Sequence, residues 1–228
     1  MIKKLLQAST ALTAAALALV AALPAPSVAA PKLEAPARAL PLQEAVALLP
    51  LAAERREGYR RDLYKHWNRG ENASDGCDTR REVILSEALV APEVSSRCQI
   101  AGGQWESYYD GVRVTSASAL DVDHIVPLAE VHDSGGYDWP AGRREAYAND
   151  QGSPLTLVAV TAKSNRSKAD KDPAQWMPPA PEAHCRYAAE WVSTKLRWTL
   201  SADSQEQQAL ARTAQDCPTT RVFFDAAP

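Results

Sequence analysis

Asp121-Val122-Asp123-His124-Ile125-Val126-Pro127, answered further on by Asn165-Arg166-Ser167-Lys168, is the stretch on which the fold turns. The run from Leu120 to Leu128 is apolar and strand-like, carries two carboxylates and a histidine, and has Pro127 suited to its end. Leu155 to Val160 reads as a short second strand rich in β-branched residues. Thr161 then caps a short helix bearing Asn165 and Lys168. Between the strands, Asp138 is placed to cap a helix with Pro140 in its first turn, continuing through Tyr147. Strand, excursion, strand and short helix thus place Asp-His on one element and Asn on another.

These residue types define a chemistry. A carboxylate and an amide oxygen, Asp123 and Asn165, suit a hard divalent cation such as Mg²⁺ or Mn²⁺. His124 is the natural general base, because an imidazole accepts a proton near neutral pH. Together they suit attack of water on a phosphodiester, whose developing charge a cation stabilises. Neighbouring strand residues point to opposite faces, so Asp123 and His124 converge only where the strand twists or ends. Asp121 shares the face of Asp123 and is the reserve ligand, its other reading being a supporting hydrogen bond.

Outside this unit the pattern is mostly helical. Leu42 to Trp67 reads as helix interrupted at Pro50, with Leu51, Tyr59, Leu63 and Trp67 near one face. Arg55, Arg56, Arg60, Arg61 and Lys65 make its other positions basic, as a solvated or a phosphate-contacting face. Glu82 to Leu89 favours helix, and Cys98 to Thr115 suggests a β meander with turns at Gly102-Gly103 and Asp110-Gly111. Pro181 to Leu200 and Asp203 to Asp216 read as two C-terminal helices. Trp105, Tyr108 and Tyr109 fit the core of the meander, with stacking on bases as the rival role. His132 is expected in a surface loop, and His66 and His184 in structural or exposed positions.

The N-terminus reads as an export signal over residues 1–29. Lys3 and Lys4 precede an apolar stretch, and Ser27-Val28-Ala29 offers a small-residue cleavage site. A Pro/Ala-rich linker, 30–41, follows. Loss of Lys3 and Lys4 takes the formal charge from −3 to −5, so the chain is no general coat for polyanions, and an anion site must be local or metal-assisted. No later apolar run is long enough for a membrane span, so no membrane association is expected after cleavage. Cys77, Cys98, Cys185 and Cys217 form an even set in an exported chain, which favours two disulfides over a zinc site. Three pairings are open; nearest neighbours would close two loops, each stabilising by roughly 3 kcal/mol.

Gly58-Tyr59-Arg60-Arg61, Gly76-Cys77-Asp78-Thr79-Arg80, the Asp121–Pro127 stretch with Leu128-Ala129-Glu130, Tyr147-Ala148-Asn149-Asp150, the Asn165-Arg166 helix and Asp172-Pro173-Ala174-Gln175-Trp176 together resemble one known family. It is the exported bacterial branch of the HNH endonucleases, related to the C-terminal HNH domain of GmrSD-type restriction enzymes. The resemblance runs from about Leu51 to Cys217. It implies an α+β fold: a ββα-metal (His-Me) finger at about 120–170, embedded in a mostly helical, disulfide-stapled single domain spanning 42–228, with C-terminal helices at 181–216.

The resemblance further implies a secreted, metal-dependent endonuclease acting on DNA, with RNA a second candidate. Asp123 and Asn165 would be the ligands of one Mg²⁺ or related cation, and His124 the base. Arg166 and Lys168 would contact phosphate at the site, and Arg143, Arg144 and Lys163 would bind substrate. Glu130 and Asn149, with Asp121, would support the site from behind. The family often has an asparagine that orients the histidine; here that position is Thr156, so Thr156, Asn149 or a backbone carbonyl takes the role. Low sequence specificity and a monomer are expected, and an immunity partner is left undecided. The rival readings are a binding protein of this fold without activity, and a phosphodiesterase on a non-nucleic substrate.

Overall fold

A computed structural model describes residues 38–72 and 74–228. The expected export signal, and the expected linker as far as residue 37, lie outside the described residues. The order of elements is β1 (Arg38–Pro41), α1 (Leu42–Ala47), α2 (Thr79–Ser86), β2 (Glu93–Ser95), β3 (Gln99–Ala101), β4 (Trp105–Ser107), β5 (Val112–Val114), β6 (Leu120–His124), α3 (Leu128–Asp133), α4 (Ala141–Ala148), β7 (Leu157–Thr161), α5 (Ala162–Lys168), α6 (His184–Trp198), α7 (Ser204–Asp216) and β8 (Arg221–Phe224). Strands pair antiparallel as four two-stranded ribbons, β1–β8, β2–β3, β4–β5 and β6–β7. The fold is a mixed α/β domain, and all described residues fall in one unit.

The β6–β7 ribbon sets the position of the site. Leu120 lies opposite Thr161, and His124 opposite Leu157. Val122, Leu157 and Ala159 bury one side against α2 and Trp105, while Val158 and Val160 face the larger core. Burial on both faces explains why β7 reads as a continuous apolar run. Thr161 caps α5, its hydroxyl accepting from the Ser164 amide at 3.3 Å.

The larger core is built on α6. Tyr187, Trp191 and Trp198 are fully buried there beside Val126, Val131, Tyr147 and Val160. Three charged side chains of α6 are buried with partners, Glu190 pairing with Arg186 at 2.7 Å. Lys195 pairs with Glu130 and Glu206 at 2.8 and 2.6 Å. Arg197 pairs with Asp150, which also accepts from the Trp198 indole and the Thr156 hydroxyl. Desolvation offsets most of the attraction in such pairs, but removing one partner would leave a costly unpaired charge. Disulfides join Cys77 to Cys98 and Cys185 to Cys217, the nearest-neighbour pairing.

Several local expectations are corrected. Residues 38–41 of the expected linker form β1, because the C-terminal strand β8 offers an edge to pair with. The long helix expected to run to Trp67 ends at Ala47; a short 3₁₀ turn at Arg61–Leu63 follows an irregular segment, and Gly58 turns the chain at φ 80°. The expected meander is two separate hairpins. The strand expected to reach Leu128 stops at His124, and Pro127 opens α3. Pro140 occupies the N-cap of α4, in place of Asp138.

Candidate functional site

β6 ends at His124 and the chain bends at Ile125–Val126 before entering α3. The end of the strand lets two adjacent residues serve one cavity. Asp123, His124, Asn165, Arg166, Asp170 and Arg61 all line a recess of about 180 Å³.

Asp123 is buried, and its Oδ2 accepts from the Tyr109 hydroxyl and from Lys168 Nζ, each at 2.7 Å. Those bonds commit one oxygen and leave Oδ1 for another partner. Burial pushes the Asp123 carboxyl up, opposed by the Lys168 ammonium and the Tyr109 hydroxyl. Lys168 is fully buried and also donates to the His124 carbonyl at 2.8 Å. Asn165 donates its amide nitrogen to Asp121 Oδ2 at 3.2 Å, which leaves its side-chain carbonyl as the available ligand atom.

The His124 ring is stacked against Trp67 at 5.5 Å and Tyr147 at 5.9 Å. Its Nε2 lies 3.0 Å from the Ala148 carbonyl. A carbonyl only accepts, so Nε2 carries the proton and Nδ1 holds the lone pair. Burial pushes the imidazole down to about 3, and the nearby charges of His66, Arg61 and Lys168 act in the same direction. The ring is therefore neutral over the ordinary pH range.

A family model for the C-terminal domain of GmrSD restriction endonucleases matches residues 68–213. The chain belongs to this family. The match takes in β6, α3, α4, β7 and α5, and hence every cavity residue named above except Arg61. An uncharacterized secreted protein of Arthroderma benhamiae is 34% identical over 198 residues, covering 87% of this chain and 94% of that protein. No solved structure matches.

Within this GmrSD C-terminal domain, the residues expected at the site separate into two groups. Asp123, His124, Asn165 and Arg166 come together in the cavity, with Asp121 behind Asn165 and 3.8 Å from Arg166. The others stand elsewhere. Lys168 turns inward to Asp123, so it is not a free phosphate contact. The Thr156 hydroxyl donates to Asp150 at 2.8 Å; the group holding His124 is the Ala148 carbonyl. Asn149 binds the Asn68 amide and the Lys65 carbonyl, fixing the segment that carries Trp67.

Glu130 is committed to Lys195 and Ser134. Arg143 donates to the carbonyls of Trp198 and Pro228, and Arg144 to those of Leu63 and Trp139, so both act as braces. Lys163 is exposed on α5, outside the cavity lining. His132 is buried between the Tyr64 hydroxyl and the Glu57 carbonyl, not in a surface loop. Trp105 and Tyr109 are buried and Tyr108 half-buried against the core, with the Tyr109 hydroxyl reaching Asp123; Trp67 and Tyr147 are the aromatics stacked on His124.

The donor set fits a hard cation. It offers carboxylate and amide oxygens, and all four cysteines are in disulfides, so no thiolate competes. Two carboxylate groups elsewhere, Glu54–Asp172–Asp203 and Glu54–Glu130–Asp133, also come within reach of a single ion, and neither contains a cavity residue.

Proposed function

We propose that the protein is a secreted, divalent-metal-dependent HNH endonuclease that hydrolyses phosphodiester bonds of DNA with low sequence specificity, RNA being the second substrate to compare. The reading rests on one observation above all: a neutral imidazole, its proton fixed on Nε2 by a backbone carbonyl, shares a small cavity with a carboxylate and an amide oxygen. Family membership supports it, and so does the strand, strand, helix order of β6, β7 and α5, read here as a ββα-metal finger. Two disulfides and a relative named as secreted support export.

In this reading Asp123 Oδ1 and the Asn165 side-chain carbonyl would hold Mg²⁺ or a similar ion. When bound, the ion stabilises charge on the phosphate and the leaving oxygen. Tyr109 and Lys168 hold Asp123 in place, and Asp121 holds Asn165. His124 Nδ1 takes the proton of the attacking water. The negative charge of a bound phosphodiester raises its basicity at the step where the proton is taken. Contacts to phosphate carry no sequence information, in keeping with low specificity.

Purified protein is incubated with supercoiled plasmid, single-stranded DNA, RNA and a small bis-aryl phosphodiester in Mg²⁺ or Mn²⁺. Nicking with 5′-phosphate and 3′-hydroxyl ends is expected, abolished by EDTA and reduced about 10²–10⁴-fold by His124→Ala. Intact nucleic acid across several divalent metals overturns the reading. Hydrolysis of the small diester alone moves the activity to a non-nucleic substrate.

A further inference from the structure

The catalytic cavity has a wall that neither the β6–β7 ribbon nor α5 supplies. Arg61 opens the 3₁₀ turn Arg61–Leu63, far upstream of His124 and outside the family match, yet it lines the same cavity as Asp123, His124 and Asn165. Its basic neighbours are engaged elsewhere. Arg56 pairs with Asp133 at 2.6 Å, Arg60 with Asp62 at 3.3 Å, and Lys65 with Glu145 at 2.9 Å. Arg61 pairs with no carboxylate among the described residues; its side chain is exposed and hydrogen-bonded to the Tyr59 hydroxyl.

The position is built from the core outward. Tyr64, at the end of the turn, is fully buried, and its hydroxyl lies 3.3 Å from His132 Nδ1. Arg144 holds the Leu63 carbonyl at 3.3 Å. A residue with a planar, permanently charged fork is thereby held at the wall of a recess where a phosphate would sit. Such a fork binds two oxygens of one phosphate at once, as an ammonium cannot.

We propose that Arg61 is a catalytic residue whose guanidinium donates paired hydrogen bonds to the non-bridging oxygens of the scissile phosphate. The inference rests on the endonuclease reading above. The water oxygen bonds to phosphorus as the bond from phosphorus to the leaving 3′-oxygen breaks, and the water's proton passes to His124. Arg61 moves no proton; it stabilises negative charge that grows on the non-bridging oxygens during the step.

The test compares wild type, His124→Ala, Arg61→Ala, Arg61→Lys and Arg60→Ala on plasmid in Mg²⁺, with melting temperatures. Affinity for a dye-labelled oligonucleotide is measured in EDTA. Arg61→Ala is expected to lower kcat about 10²–10³-fold while KM and oligonucleotide affinity stay within about threefold. Added guanidinium ion is expected to restore part of the rate to Arg61→Ala and none to His124→Ala. Arg61→Lys should recover only a fraction, and Arg60→Ala should match wild type.

Cleavage by Arg61→Ala within about threefold of wild type overturns the proposal. So does a loss of rate fully accounted for by lost affinity, which would make Arg61 a general phosphate contact. Should Arg61→Ala fail to fold, Arg61→Lys carries the test, and a wild-type rate there overturns it. A wild type inactive on every nucleic acid overturns the nuclease reading itself, and the role of Arg61 with it.

Discussion

Asp123 and Lys168 face each other inside the protein with almost no access to water. Replacing one partner leaves the other as an uncompensated buried charge, so Lys168→Met is expected to destabilise the fold by about 3–5 kcal/mol. Urea denaturation checks this, and a loss under about 1 kcal/mol would show that the pair is not the support described. From the sequence, Lys168 is expected to meet phosphate beside Arg166. Spacing alone cannot correct that expectation, because Asn165 and Lys168 stand three apart on one face of α5 and both can reach Asp123's side. A long flexible stem lets the lysine head enter the core where a buried carboxylate waits. The Asp123-His124 pair, by contrast, was legible as a carboxylate and an imidazole in an apolar strand, and Asn165 as an amide on a capped helix.

Among the elements, those with strong local signals were legible. Alternation or apolar continuity marks β6 and β7, and Thr161 and Asp203 cap α5 and α7 with their side chains. The segment from Leu48 to Trp67 was not. Its four-residue apolar step suggested a helix, but Tyr59 and Leu63 pack on the larger core and Trp67 on the smaller one from a chain that is largely irregular. The step came from two separate packing demands. Cys185–Cys217 ties the start of α6 to the end of α7, closing the two C-terminal helices into one loop. Replacing both cysteines by serine is expected to cost about 3 kcal/mol. Chemical denaturation measures it, and an unchanged midpoint would refute that stabilisation.

Acid and base dependence belongs to the molecule as a whole. Glu87 joins α2 to β7, both carboxylate oxygens lying 3.1 Å from the Ala159 amide. Burial pushes its carboxyl from 4.5 up to about 7, and burial with the nearby Glu130 charge shifts Glu206 the same way, opposed by Lys195. The folded state then binds more protons than the unfolded one between these values, so stability falls as pH rises through that window. Melting curves at pH 5 and pH 8 are expected to show the loss, and Glu87→Gln to reduce it. An equal slope in wild type and Glu87→Gln would sink the assignment.

What the sequence determined by itself was local: residue chemistry, helix caps, strand alternation and the pairing capacity of four cysteines, all set within a few positions of one another. Tertiary structure alone decided that the Ala148 carbonyl holds His124, that Trp67 stacks on it, that Lys168 is buried, and that Arg61 reaches the cavity. Each of these depends on which distant segments pack together, and that is settled by burial of the whole core rather than by any local pattern.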